Sequence, residues 1–217
     1  MVDIIIFAII AFVIAYRLYN VLGATDEFDP MQAKGQVINL DPNEYQEQKE
    51  DDSAEIKEAD DNIEQHLTKT ALASINKIKK IDASFSSSKF LQGAEKAFEI
   101  IINAFANGDK KTLTKLANQD VAEKFIGEYD RQKKLGNKIN ISIVGLESSK
   151  INKVDLSGNV ATISVKFLSE QIATVTDKAG QVVSGDEKNV EEISDHWFFT
   201  KDLKGDSPIW VLAKTES

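Results

Sequence analysis

The sequence contains no cysteine, only two histidines and three prolines among its 217 residues. Without cysteine there are no disulfide bonds, no thiol nucleophile and no cysteine-ligated metal site. The sequence also lacks a glycine-rich phosphate-binding loop, because Gly145, Gly158, Gly180 and Gly185 are scattered. The formal net charge of −9 disfavours a broad nucleic-acid-binding role. We therefore predict no metal site, no cofactor and no nucleic-acid partner.

The negative charge is concentrated in one segment. Residues 26–60 hold twelve acidic residues and only three lysines, which gives this segment a net charge of −9. The segment has no sustained apolar period, so we predict an acidic, disordered linker over residues 23–60. A small apolar island within it is either a transient contact or a short docking motif, and it consists of Val37, Ile38 and Leu40.

A continuous apolar run lies between Asp3 and Arg17, with a weaker continuation to Leu22. Together they reach the length of about 20 residues that a bilayer span needs. We predict an uncleaved transmembrane anchor over residues 1–22, with Arg17 extended towards the interface. The predicted anchor residues are Ile4, Ile5, Ile6, Phe7, Ile9, Ile10, Phe12, Val13, Ile14 and Arg17.

The apolar run has two alternative interpretations. A cleaved secretory signal is disfavoured, because no lysine or arginine precedes the run and the following residues make a poor cleavage site. A buried soluble helix is disfavoured, because the run is apolar all round. Arg17 lies on the C-terminal side of the run, so the positive-inside rule places the remainder of the chain in the cytoplasm.

Helical periodicity returns after the linker. Residues 61–81 are predicted to form an amphipathic helix, which either touches anionic lipid through its lysines or packs its apolar stripe on the folded body. The strongest pattern is 90–105, where apolar residues follow the i, i+3, i+4, i+7 spacing of one broad helix face. This helix is predicted to be the element on which the rest of the body packs.

Local signals mark where the next elements begin and end. Gly108 is predicted to end the helix over 90–105, and Asp109 to cap a short helix after it. Asp120 is predicted to cap a helix from Val121 to Leu135 that ends at Gly136.

The residues from Ile139 onward alternate between apolar and polar, which predicts the strands of an antiparallel sheet. Helices followed by strands indicate an α+β fold with the helices on one face of a curved antiparallel sheet that closes into a cone. Two alternatives remain for the aromatic residues between helix and sheet: a filled core, or a partly open apolar pocket for a lipid tail or a partner's side chain. With one isoleucine, the set is Phe90, Phe98, Ile101, Phe105, Phe125, Phe167, Trp197, Phe199 and Trp210.

His196 is the histidine that comes closest to a catalytic arrangement. With Asp195, or with Glu191 or Glu192, it would form a histidine–carboxylate pair suited to general base chemistry. The alternative is an outward-facing histidine on a strand whose Trp197 and neighbouring Phe199 face inward. Because no nucleophile, second histidine or metal cluster accompanies it, we predict no catalytic residues and no enzyme activity.

Several of these patterns resemble the Tim44-like domain family. They are the stretches FLQGAEKAF and AFANGDKKTLTKL, the helix that ends near Gly136, the W-x-F of Trp197 to Phe199 and the P-x-W-x-L of Pro208 to Leu212. The resemblance covers about residues 82–217 and implies a nuclear-transport-factor-two-like (cystatin-like) cone. The family includes a mitochondrial adaptor that holds a chaperone motor near a membrane pore, and alphaproteobacterial relatives with an N-terminal anchor.

The resemblance implies a membrane-anchored adaptor or scaffold of the bacterial inner membrane. Together with the apolar run and Arg17, it predicts a single-pass protein whose C-terminal domain lies on the cytoplasmic side. Its expected partners are membrane lipid and proteins of unknown identity, in protein translocation or membrane-complex assembly, and a homo-oligomer is left open. Two alternatives are a periplasmic component of a secretion machine with a similar cone, and a small-molecule-binding protein of the same fold.

Overall fold

The computed structural model describes residues 52–216, and the side chains from residue 55 onward. The predicted anchor over residues 1–22 and the linker up to residue 51 lie outside the described residues. Between residues 52 and 216, no helix combines the length and the apolar character that a bilayer crossing requires.

The chain forms its helices first and its strands afterwards. The helices in residues 52–216 are α1 (Asp52–Glu64), α2 (Lys69–Ile81), α3 (Ser87–Asn107), α4 (Lys110–Leu116) and α5 (Gln119–Leu135). The strands in the same range are β1 (Lys138–Ser157), β2 (Val160–Thr176), β3 (Val182–Gly185), β4 (Glu191–Asp202) and β5 (Val211–Glu216). The strands pair antiparallel, so the predicted α+β class is confirmed.

The region predicted as the end of a linker followed by one helix over 61–81 is instead two helices. Residues 52–60, predicted to be linker, belong to α1, and a short non-helical segment separates α1 from α2. The break has a local cause, because Thr68 caps α2 by accepting the backbone N–H of Ala71 at 3.2 Å. The sequence did not predict α1 because its acidic composition is typical of a linker. The helix is stabilised by contacts with residues distant in the chain.

The apolar stripe of α2 packs on the body. Ala71, Ile75 and Ile78 are buried, and α2 lies against β1. The packing alternative for this helix is therefore confirmed.

The predicted helix ends are mostly confirmed. Gly108 ends α3 and Gly136 ends α5, both in the left-handed conformation that glycine adopts at least cost, and Asp109 caps α4. The prediction that Asp120 caps α5 is wrong, since the carboxamide of Asn118 accepts the N–H of Val121 at 3.0 Å. Asp120 lies in the first turn instead, where a carboxylate interacts favourably with the helix dipole.

The strands are arranged in the order β1-β2-β4-β5, with β3 paired to the end of β2. A tight turn at Gly158, with φ of 60°, joins the two long strands β1 and β2. Three register shifts interrupt this pair, between Ile143 and Gly145, Leu146 and Ser148, and Ile151 and Lys153. Such bulges increase the local twist of a sheet.

One face of the sheet is covered by helices. The inward side chains of β2 include Ile163, Val165 and Phe167, all fully buried. Phe98 of α3 stacks on Phe167, with ring centroids 4.6 Å apart. The helix predicted to organise the body therefore does lie across the sheet.

Candidate functional site

The residues predicted to form a filled core or an apolar pocket lie in three neighbouring groups along α3. Near the beginning of α3 are Phe90, Phe199 and Trp210, in the middle are Phe98, Phe167 and Trp197, and near its end are Phe105 and Phe125. Ile101 is fully buried and belongs to the same core.

The middle group is filled core. The ring centroid of Phe98 lies 4.6 Å from that of Phe167 and 4.8 Å from that of Trp197. Phe98 and Phe167 are fully buried, and Trp197 nearly so. Close packing of this kind leaves no room for a ligand, so these three side chains stabilise the contact between α3 and the sheet.

The third group joins helices to one another. Phe105 of α3 and Phe125 of α5 are both buried, with ring centroids 5.3 Å apart. This pair holds α5 against α3, away from the solvent.

The first group opens to the surface in a cleft of about 200 Å³. Phe90 meets Trp210 edge to face at a centroid distance of 4.9 Å, and Phe85 lies 6.0 Å from the same indole. Trp210 and Phe85 are only partly buried. We call this feature, walled by Phe85, Phe90 and Trp210 and rimmed by Lys89 and the Asp82–Lys201 pair, the aromatic cleft. Phe85 was missed at the sequence level, because it stands alone in a polar stretch.

The rim of the aromatic cleft contains an ion pair. Lys201 Nζ lies 3.2 Å from Asp82 Oδ2, and both side chains are largely buried. Asp82 also accepts two hydrogen bonds from Ser84, one from the hydroxyl at 2.5 Å and one from the backbone N–H at 3.1 Å. The hydrogen bond from the Ser84 hydroxyl is the main cause that lowers the pKa of Asp82; burial opposes it and Lys201 adds to it. Asp82 is therefore ionised at neutral pH and neutralises Lys201.

Lys89 differs from Lys201. It is exposed at the rim, and no carboxylate in residues 55–216 forms a salt bridge with it. The aromatic cleft therefore combines apolar aromatic walls with one uncompensated positive charge. This chemistry suits an apolar or aromatic group that carries a negative charge close to it.

The histidine–carboxylate pair considered for catalysis does not form between Asp195 and His196. Asp195 points to the covered face of the sheet with Trp197 and is 4% exposed, whereas His196 points to the opposite face. Burial raises the pKa of Asp195 to about 6. The sequence did contain a signal for this burial, because Asp195 continues the inward alternation of Trp197 and Phe199.

Residues 71–217 match the family described as the Tim44-like domain. The chain belongs to the Tim44-like domain family. The resemblance noted in the sequence is thus confirmed, and the match to the family begins at residue 71, inside α2.

The Tim44-like chain is similar to mitochondrial import inner membrane translocase subunit TIM44-1 of Arabidopsis thaliana. The two are 26% identical over 191 residues, which cover 85% of this chain and 40% of the plant protein. It is also similar to an uncharacterized protein of Rickettsia prowazekii, RP434, with 27% identity over 228 residues, 99% of this chain and 97% of that protein. The chain therefore spans less than half of the plant relative but nearly all of the bacterial one.

Among solved structures, the intermembrane space region of chloroplast protein ARC6 is similar with a TM-score of 0.42 and 12% identity. The similarity covers 58% of this chain and 94% of that one.

Proposed function

We propose that this protein is a membrane-anchored adaptor that holds a protein partner or a lipid through the aromatic cleft of its Tim44-like domain. It acts by binding and not by catalysis. The observation that carries the proposal is the cleft itself, where Phe85, Phe90 and Trp210 present aromatic surface beside Lys89. Tryptophan is among the residues that contribute most to binding energy when a partner buries it.

The names of the relatives support an adaptor in protein translocation. The plant relative is named a subunit of the mitochondrial import inner membrane translocase. Because this chain spans 40% of that protein, we carry over the membrane-associated binding role and not the whole assembly. Protein translocation or the assembly of a membrane complex is the proposed setting.

The proposal includes the anchor over residues 1–22, in the inner membrane of a bacterium. The similarity to the Rickettsia protein extends over 99% of this chain, which supports treating the apolar run and the domain as parts of one protein. A flexible linker over residues 23–51 would reach about 30 Å root-mean-square. That length lets the domain bind partners near the membrane surface. Arg17 favours the cytoplasmic side for the domain.

We also propose that the Tim44-like domain is cone-shaped. The bulged, twisted pairing of β1 with β2 supports a sheet that curves around α3 in the manner of a nuclear-transport-factor-two-like fold. The aromatic cleft lies beside the beginning of α3 in this arrangement.

The test is site-specific photo-crosslinking in living bacteria, with the full chain. A photoreactive residue at position 89, on the rim of the cleft, is expected to give discrete protein or lipid adducts, which Trp210→Ala reduces at least severalfold. The same residue at position 115, exposed on α4, is the matched control and is expected to give none of these adducts. Identical adducts from both positions, or adducts insensitive to Trp210→Ala, would contradict the proposal.

A separate experiment distinguishes the cytoplasmic adaptor from the periplasmic alternative. In intact spheroplasts the domain is expected to resist added protease and to be cleaved only after lysis. Cleavage of the domain in intact spheroplasts would favour the secretion-machine component instead. This readout depends only on the side of the membrane and is independent of the crosslinking result.

A further inference from the structure

Two rows of side chains cross the face of the sheet opposite the helices. We call them together the lysine face. The first row, from β1 to β5, is Lys150, Lys166, His196 and Glu216. The second row, one step along the strands, is Lys153, Ser164, Phe198 and Lys214. All four lysines are exposed.

The lysine face includes a charge arrangement that is unfavourable for the sheet by itself. Lys150 lies directly opposite Lys166, and His196 follows as the next member of the row. Like charges opposite one another on neighbouring strands destabilise a sheet. Glu216 forms an ion pair with Lys214, whereas Lys150, Lys153 and Lys166 form no salt bridge within residues 55–216. Asp155 follows Lys153 on the same face of β1, one row further along, whereas Glu170, Glu192 and Asp202 lie two rows from the nearest lysine. Local arrangements that oppose folding are expected at functional sites, and a row of like-charged lysines is suited to binding anions.

Ser164 lies in the middle of the lysine face. It is 1% exposed, and within residues 55–216 its Oγ is buried without a hydrogen-bond partner. A buried hydroxyl without a partner costs free energy, and each such group in a native protein needs an explanation. Its cross-strand neighbours are Lys153 and Phe198, so a lysine and an aromatic ring lie beside this buried hydroxyl. Lys214 Nζ lies 5.3 Å from the centroid of the Phe198 ring.

We propose that the acidic segment of the same chain, residues 37–51, docks on the lysine face. The segment contains five acidic residues against the single Lys49, so its charge complements Lys150, Lys153 and Lys166, which form no salt bridge within residues 55–216. Its apolar island of Val37, Ile38 and Leu40 complements the half-buried Phe198.

The position of the segment in the chain makes this occupant accessible. The segment ends directly before α1, and fifteen extended residues span up to about 50 Å. That reach exceeds the thickness of one helix layer packed on one sheet, about 10 Å between layers. Covalent attachment gives the segment an effective concentration in the millimolar range, which a free acidic partner does not have. Docking would leave only residues 23–36 as free tether and would draw the domain towards the anchor.

The chain contains no cysteine, so two introduced cysteines carry the only two spin labels and define one distance. The full chain with Gln46→Cys and Ser194→Cys, in neutral detergent, is measured by pulsed electron spin resonance. Ser194 is exposed on the same face, one position along β4 from Asp195. At low salt we expect one narrow distance below about 30 Å, which becomes broad at 0.5 M salt as screening shortens the range of charge interactions.

Charge reversal identifies the two partners. Lys150→Glu with Lys166→Glu is expected to broaden the distance in low salt, and so is Glu44→Lys with Glu47→Lys. The four changes combined are expected to restore the narrow distance. Lys115→Glu with Lys133→Glu, at exposed positions on α4 and α5, is the matched control and should leave the distance unchanged.

Other occupants predict different results. A broad distance at low salt that charge reversal does not alter would overturn the proposal. A narrow distance that dilution with unlabelled chain removes would assign the contact to a second copy. A broad distance together with binding of the lysine face to phosphatidylglycerol vesicles, lost in Lys150→Glu with Lys166→Glu, would assign the face to an anionic membrane. Either outcome overturns docking of residues 37–51, and neither depends on the aromatic cleft.

Discussion

Asp60 Oδ1 accepts the backbone N–H of Ser88 at 2.8 Å, so the end of α1 is joined to the first turn of α3. The hydroxyl of Ser86 donates to the same oxygen at 2.9 Å, and Lys79 Nζ lies 3.7 Å from Oδ2. Burial alone would raise the pKa of Asp60, but the hydrogen bonds from Ser88 and Ser86, with the charge of Lys79, hold it below its usual value. This carboxylate therefore fixes α1 to the Tim44-like domain.

Asp60→Ala is expected to release α1. The change leaves the Ser88 N–H and the Ser86 hydroxyl without their acceptor, which costs on the order of 2 kcal/mol. Hydrogen exchange of the α1 amides should then accelerate roughly thirtyfold while the amides of β2 stay protected. Asp61→Ala, at the exposed neighbouring position, is the control and should leave exchange unchanged. Equal exchange in both variants would show that α1 is held by other contacts.

The pH dependence of the same contact follows from the direction of the pKa shift. Because the pKa of Asp60 is lower in the folded state, its contribution to stability is present above the unfolded value of 3.8 and is lost as pH falls through the folded value. Protection of the α1 amides should therefore decrease below about pH 4 in the wild type. In Asp60→Ala the protection should be lower than in the wild type, and the part of the loss at acid pH that belongs to Asp60 should disappear.

Phe98→Ala is expected to cost about 3–5 kcal/mol of folding free energy. The ring is fully buried between Phe167 and Trp197, so its removal leaves a cavity under α3. Chemical denaturation of the full chain in mild detergent measures the change. Ile100→Ala on the same helix, at a position 45% exposed, should cost less than about 1 kcal/mol. Similar losses for the two variants would mean that the middle aromatic group is not the core.

Asp195→Asn is expected to stabilise the protein at neutral pH. Burial raises the pKa of Asp195 from 3.8 to about 6, so the folded state prefers the protonated form. The stability it provides is complete below pH 3.8 and is lost as pH rises through about 6. At pH 7 the asparagine variant should be more stable by on the order of 3 kcal/mol.

Denaturation of the wild type and Asp195→Asn between pH 4 and pH 8 tests this sign. The difference in unfolding free energy should grow from near zero at the acid end to its full value above pH 6. Asp186→Asn, before β4 and away from the core, is the matched control for the loss of one carboxylate. A difference that shrinks as pH rises would show that folding lowers the pKa of Asp195 instead of raising it.

Two glycines in helical surroundings should respond oppositely to alanine. Gly108 ends α3 with φ of 68°, and a Cβ there would lie 2.2 Å from Cζ of Tyr129. Gly108→Ala should therefore destabilise by more than about 1 kcal/mol, since backbone strain and a ring displacement add. Gly127, inside α5, has open space at the Cβ position, and Gly127→Ala should stabilise by about 0.5–1 kcal/mol. Thermal unfolding of both variants compares them directly.

The sequence predicted the elements whose signals are local. The apolar stripe of α3, the glycines that end α3 and α5 and the alternation after Ile139 each depend on neighbouring residues, and the structure has all of them. The cap of α5 was misassigned, because Asn118 and Asp120 are both good capping residues and only the backbone direction distinguishes them.

The features that the sequence did not predict depend on residues distant in the chain. The helix α1 is stabilised by Ser86 and Ser88, more than twenty residues away, and its acidic composition indicated a linker. In the aromatic cleft, Phe85 lies against Trp210. Trp210 directly precedes β5, and the two residues come close only because β5 pairs with the sheet. The nine predicted core or pocket residues were found without knowing which of them face solvent, because burial depends on the whole packing.

The three register shifts of β1 bear on how the protein remains dispersed. β1 is an outer strand of the sheet, and the outward backbone groups of such a strand are a template for pairing with another chain. Each bulge breaks the regular repeat of donors and acceptors, and lysines at positions 150 and 153 flank one of the shifts. A neighbouring molecule would find no long, flat stretch to extend, so this strand is protected against the intermolecular sheet growth that leads to fibrils.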